Sequence, residues 1–110
     1  MTKFLLIQHH TAMGTWAPAD VQRHYDYQRD LDDELDRAGE LVESQGLAGD
    51  SHLVAGDGVA GVLPALSGFR IVDVETEDRA LRIAARASAA PGPGGAPLAS
   101  PIDVRRLLTP

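Results

Sequence analysis

Two stretches of this chain carry a helical repeat, and short runs of strand character stand on either side of each. That order limits the folds open to the chain more than any other feature. The first repeat is Val21, His24, Gln28, Leu31, Leu35 and Ala38, spaced by three and four, which predicts one stripe of a helix over about 18–38. Pro18 suits its first turn, Asp20 puts negative charge near its N-terminus, and Gly39 can close it as a left-handed cap. The second repeat, Ala80, Leu81, Ala84, Ala87 and Ser88, predicts a helix over about 77–89. Thr76 would be its N-cap, with Glu77 and Asp78 in the first turn. Strands are expected at 3–9, 40–48, 51–56, 68–75 and 102–108. The segment 59–66 stays ambiguous, because Gly61 and Pro64 weaken a strand.

The order strand, helix, strands, strand, helix, strand predicts one α+β domain over residues 1–110. The expected fold is a ferredoxin-like two-layer sandwich: a mostly antiparallel sheet with two helices on one face. Two helices cover only one side of such a sheet. Strands as apolar as 4–7 and 69–74 point side chains both ways, so the second side also needs cover. A second copy of the chain is the simplest cover, which predicts a homodimer. The segment 90–101, APGPGGAPLASP, has Leu98 as its one packing residue and reads as a mobile loop or a flap.

Charge and composition narrow the partners. The net charge is −6 and no basic cluster stands out, so nucleic acid and anionic membrane are not expected. There is no cysteine, which excludes disulfides, thiolate chemistry and cysteine-based zinc sites and fits a reducing cytoplasm. The N-terminal MTKFLLIQHH turns polar too soon for a signal peptide, and no apolar run approaches the ~20 residues of a membrane span.

Chemistry is expected where the first strand ends. FLLIQHH runs from four apolar residues into Gln8, His9 and His10, two of the four histidines of the chain. Adjacent residues on a strand face opposite ways, so His9 and His10 do not form a bidentate metal site, and no metal or other cofactor is expected. An imidazole with an ordinary pKa of ~6.5 does suit acid–base work in a cleft beside a strand end. His24 lies on the inner stripe of the first helix, where it either faces that cleft or packs at the rim of the core. Tyr27 is three residues on and would share its face, Asp20 one turn earlier could orient it, and Trp16 would plug a core edge or wall the pocket. The simpler reading holds for His52, Asp57, the acidic run 30–36, Arg105 and Arg106, as solvated turn, helix-face and edge charges. No phosphate loop, dinucleotide fingerprint or serine-nucleophile elbow is present.

Several stretches, KFLLI, RAGELVESQGLAG, LSGFRIVDVETEDRALRIAAR and IDVRRL, together resemble the YCII-related (YciI-like) proteins, in the branch named for an Asp-Gly-Pro-Phe motif. The resemblance covers about two-thirds of the chain. It implies a dimeric α+β fold of the α+β barrel superfamily and, where such proteins have an assigned activity, lyase or isomerase chemistry on small molecules, including those of secondary metabolism. Two departures stand beside it. Between GDG and LSGF the chain has only VAGVLPA, so the Asp-Gly-Pro-Phe segment is missing. The family's first-helix histidine, proposed to pair with an aspartate, falls at Gln28, with His24 one turn earlier; Gln28 is therefore expected to contact substrate.

Two functions follow from different classes. One is a cofactor-independent lyase, isomerase or cyclase, with His10 or His9 as general acid or base, His24 and Tyr27 positioning or protonating, and Trp16 and Gln28 against a small-molecule ligand. The other is a non-catalytic dimer that binds a ligand or a partner protein.

Overall fold

The structure, a computed structural model, describes residues 1–9, 13–59 and 65–109, with Val59 described in its backbone only. It is α+β. The elements are β1 (Thr2–His9), α1 (Pro18–Arg37), β2 (Leu41–Gly46), β3 (Val54–Ala55), β4 (Gly58–Val59), β5 (Leu66–Val74), α2 (Glu77–Ser88) and β6 (Ile102–Arg106). Four strands form one sheet in the order β2-β5-β1-β6, and every pairing in it is antiparallel. With the small β3–β4 hairpin set aside, this is the ferredoxin-like two-layer sandwich. Among the described residues, no helix is long and apolar enough to cross a membrane.

Local chemistry sets the helix ends. After α1, Gly39 takes φ +73°, and the Gly39 and Glu40 N–H groups return to the Asp36 and Leu35 carbonyls at 3.0 and 2.9 Å. That is the double-bonded left-handed stop open to glycine. At the start of α2, the Thr76 hydroxyl accepts the Arg79 N–H at 3.2 Å.

Alternation then builds the core. Phe4 and Leu6 of β1 and Val72 and Val74 of β5 face the helices and meet Leu31 and Leu35 of α1 and Ala80, Ile83, Ala84 and Ala87 of α2. Leu41, Ile102 and Val104 close its margins. Burying a side chain such as Ile83 or Leu35 contributes about 1.5–3 kcal/mol. The expected stripe of α2 changes in one position: Ile83 is buried and Leu81 is 48% exposed, because the contact line runs 80, 83, 84, 87.

Two expectations about connections are corrected. The strand expected at 51–56 shrinks to Val54–Ala55, which pairs with Gly58–Val59 outside the main sheet, and Gly56 takes the positive φ (+61°) of its turn. The ambiguous 59–66 lies mostly outside the described residues. The segment 90–101 is tied down rather than free. Pro91 pairs with Pro97, Gly92 N–H reaches the Ala96 carbonyl at 2.6 Å, and Leu98 N–H reaches Ala90 at 3.0 Å. Ser88 Oγ donates to the Ser100 carbonyl at 2.6 Å, and Ala90, Gly92 and Ser100 are buried.

Candidate functional site

A cleft of about 350 Å³ opens between the middle of α1, from His24 to Asp32, and the β2–β5 end of the sheet. Gln8, His24, Gln28, Asp32, Ser44 and Arg70 are among its polar lining, and Met13, Tyr25, Leu47 and Leu66 supply apolar wall. His24, Gln28 and Asp32 are successive four-residue steps along α1, so one helix row delivers all three. Arg70 comes from β5 at the same parity as buried Val72 and Val74, so the pleat turns it inward.

A buried guanidinium must be paired. Arg70 is 6% exposed, and its Nε donates to Asp32 Oδ1 at 2.6 Å. Its Nη2 donates to Gln28 Oε1 at 2.5 Å and to the Gln28 backbone carbonyl at 3.4 Å. Ser44 Oγ on β2 donates to the other oxygen of Asp32 at 2.8 Å. Both Asp32 oxygens are thus engaged, one by a cation and one by a hydroxyl.

The Arg70 contact fixes how the Gln28 amide lies. With Oε1 taken by the guanidinium, Nε2 points to His24, 3.4 Å from its Nε2. At the opposite edge of the ring, Nδ1 is 3.1 Å from the Pro91 carbonyl. A carbonyl only accepts, so Nδ1 carries the proton and Nε2 presents a lone pair toward Gln28. Arg70, Gln28, His24 and Pro91 therefore form one chain of donors and acceptors with a single consistent direction, and it sets the His24 tautomer. His24 is 5% exposed and is flanked edge-on by Trp16 (centroids 5.7 Å, 81°) and Tyr25 (5.9 Å, 76°).

Of the six residues singled out from sequence, His24 and Gln28 meet in the cleft. His10 lies outside the described residues. His9 ends β1 beyond a register shift, half-buried, with its N–H on the Pro101 carbonyl at 3.0 Å. Strand alternation puts Gln8, not His9, on the cleft side, and His9 is not among the lining. Trp16 braces the His24 ring without lining the cleft. Tyr27 lies away from the cleft: its hydroxyl donates to the Arg86 carbonyl of α2 at 2.8 Å, and its neighbour Tyr25 borders the cleft instead. Asp20, expected to orient His24, binds Arg23 at 3.2 Å.

Sequence reasoning missed Arg70, Asp32 and Ser44. Asp32 was hidden in the acidic run, although it stands one turn beyond Gln28 on the same row. Among the described residues, no three His, Asp or Glu side chains come together as a metal-ligand set. Away from the cleft, Arg86 of α2 pairs with Glu34 of α1, and Arg79 of α2 with Glu40 in the turn after α1, both at 2.7 Å. Hydrogen bonding from each arginine holds its carboxyl below the ordinary glutamate range.

No protein-family model matches the chain, and no curated protein matches it significantly.

Proposed function

We propose that this chain is a small-molecule enzyme in which His24 moves a proton without a cofactor, as an isomerase or lyase does, and that it works as a homodimer. The observation that carries the reading is the directed chain from Arg70 through Gln28 to His24. It holds the imidazole in one tautomer with its basic nitrogen at the amide that lines the cleft. In an isomerisation the substrate takes the place of the Gln28 N–H, 3.4 Å away at Nε2; its C–H or O–H gives its proton to the lone pair so released, and the imidazolium returns it to a different atom of the same molecule. In an elimination the proton goes to the leaving group. Neither needs a second reactant. A reducing cytoplasm suits a chain without cysteine.

The dimer rests on the sheet face that neither helix covers, where Leu5, Ile7, Phe69 and Ile71 are half-buried in the single chain. Leu5 stands opposite Ile71 and Ile7 opposite Phe69 across the β1–β5 ladder, on the side away from both helices. The radius of gyration is 15.1 Å, against about 13 Å for a compact chain of this length. Val54 on the small hairpin is 66% exposed. A second copy over the open face buries the apolar quartet.

The test is proton exchange. Small carbonyl compounds with acidic C–H bonds, with and without a carboxylate, are incubated with the protein in D2O and followed by proton NMR. Deuterium incorporation by the wild type and not by His24→Gln supports the enzyme. No incorporation into any compound favours the second reading, a non-catalytic ligand-binding dimer. The burial of His24, 5% exposed, speaks for that alternative.

A further inference from the structure

We infer that the cleft takes a substrate bearing one carboxylate on an apolar body, and that Arg70 Nη1 is the group that grips it. This deepens the reading of the cleft as the reacting site and rests on it. Arg70 spends Nε on Asp32 and Nη2 on Gln28, while Nη1, with two N–H donors, has no acceptor among the described residues. Nor is Nη1 sealed away: the one fully buried side-chain polar atom lacking a partner, among the described residues, is Asp73 Oδ1, on the other face of β5. The remaining exposure of Arg70 is therefore surface on the cleft that it lines.

An arginine kept only for structure would be enclosed with all its donors engaged, since a buried cation with an unmet donor is costly. Here one edge of the guanidinium is clamped by α1 and the other is left to the cleft. Clamping holds the planar fork in place before the ligand arrives, which lowers the ordering cost of binding.

Charge decides which anion. Arg70 is the only arginine or lysine in the described lining and Asp32 the only carboxylate, so one cation and one anion face each other there. One carboxylate can share the guanidinium with Asp32, whereas a phosphate dianion finds no second cation. Met13, Tyr25, Leu47 and Leu66 offer apolar cover to the rest of the molecule. Gln28 bonds both Arg70 and His24, so a carboxylate held at Nη1 lies one amide away from the basic nitrogen. It would also favour the imidazolium that forms when His24 takes the proton.

The experiment is a titration of the 15N-labelled full chain with benzoate, benzamide and inorganic phosphate, followed by proton–nitrogen correlation NMR. Expected are saturable shifts with benzoate, centred on the amides of Ser44, Gly68 and Arg70. Benzamide and phosphate should bind about tenfold or more weakly than benzoate, the loss expected for one charged hydrogen bond. Arg70→Met should abolish the benzoate shifts. Arg70→Lys, which keeps the charge near Asp32 but not the fork, should weaken them about tenfold and serves where the methionine variant does not fold. The inference is overturned by no benzoate shift at the cleft, by equal binding of benzoate and benzamide, by tighter phosphate binding, or by unchanged benzoate affinity in Arg70→Lys. Benzoate binding without any C–H exchange by the wild type would remove the proton-transfer reading and leave this one standing.

Discussion

Asp32 on α1 accepts Arg70 Nε from β5 at 2.6 Å, so the cleft-side half of the helix is joined to the sheet by an ion pair. Beside it on α1, Leu31 and Leu35 make the apolar join. Asp32→Ala should leave the guanidinium without its anion. The Asp32 side chain keeps 25% of its exposure, so the loss should be about 2 kcal/mol, under the ~3–5 kcal/mol of a sealed pair. Urea denaturation measures it, and Asp32→Asn should lose less because the amide oxygen still accepts from Nε.

Gly68 should tolerate no side chain. A Cβ there would stand 2.7 Å from the Gln45 carbonyl oxygen, a backbone atom of the paired strand. Gly68→Ala must spread β2 from β5, with an expected loss of about 1–3 kcal/mol in a chemical melt. It should also distort the cleft, which Gly68 lines.

Removing residues 92–95 should destabilise the protein, contrary to what the Gly/Pro composition implies. The deletion takes out the Gly92–Ala96 hydrogen bond and displaces Pro91, whose carbonyl receives His24 Nδ1–H. The melting temperature should fall by about 5 °C or more, read by circular dichroism, and proton exchange should fall with it.

Acid should weaken the Glu40–Arg79 link in a defined direction. Arg79 donates to both carboxylate oxygens at 2.9 and 2.7 Å and lowers the folded-state pKa of Glu40. As pH falls, the unfolded chain takes up its proton first. The contribution is therefore complete above the ordinary glutamate value of about 4.3 and disappears as pH drops through the lowered folded value. Glu40→Gln should be less stable than wild type at pH 7 by about 1 kcal/mol or less. The two curves should converge as pH falls below the lowered folded value.

Ile71→Lys should separate the proposed dimer. The substitution places a charge opposite Leu5 on the open face and leaves the core face of β5 intact. Light scattering at micromolar concentration should give twice the chain mass for wild type and the chain mass for the variant. A wild-type monomer under those conditions defeats the dimer.

The fold was legible because its signals are local. The 3.6-residue stripe of α1, the Thr76 cap, the Gly39 stop and the alternation of β5 each act within a few residues. The site was legible only on the helix, where His24 and Gln28 share a row. Arg70 was overlooked because an arginine between Phe69 and Ile71 resembles a solvated position. Its parity with Val72 and Val74 was the available sign that it points inward. Tyr27 misled because spacing along α1 says which residues share a face but not which neighbour that face meets. Arg86 lies on a helix 59 residues distant in sequence. The packing of 90–101 was hidden because its bonds are made by backbone atoms, Gly92 to Ala96 and Leu98 to Ala90, which side-chain composition does not reveal.

Gly46 faces Gly68 across the ladder, and the Leu47 N–H closes on the Ser67 carbonyl at 2.9 Å. The chain leaves the sheet and returns to it at one clasp, and the stretch between carries the β3–β4 hairpin outside the main sheet. The entropy of closing such an excursion grows only slowly with its length. A change in the length of that excursion would therefore cost little and need not disturb the register of the four-stranded sheet, which is closed at Gly46 and Gly68. Leu47 and Gly49, which line the cleft, ride at its base. Replacing that one wall would reshape the cleft while Arg70, Gln28 and His24 stay in place.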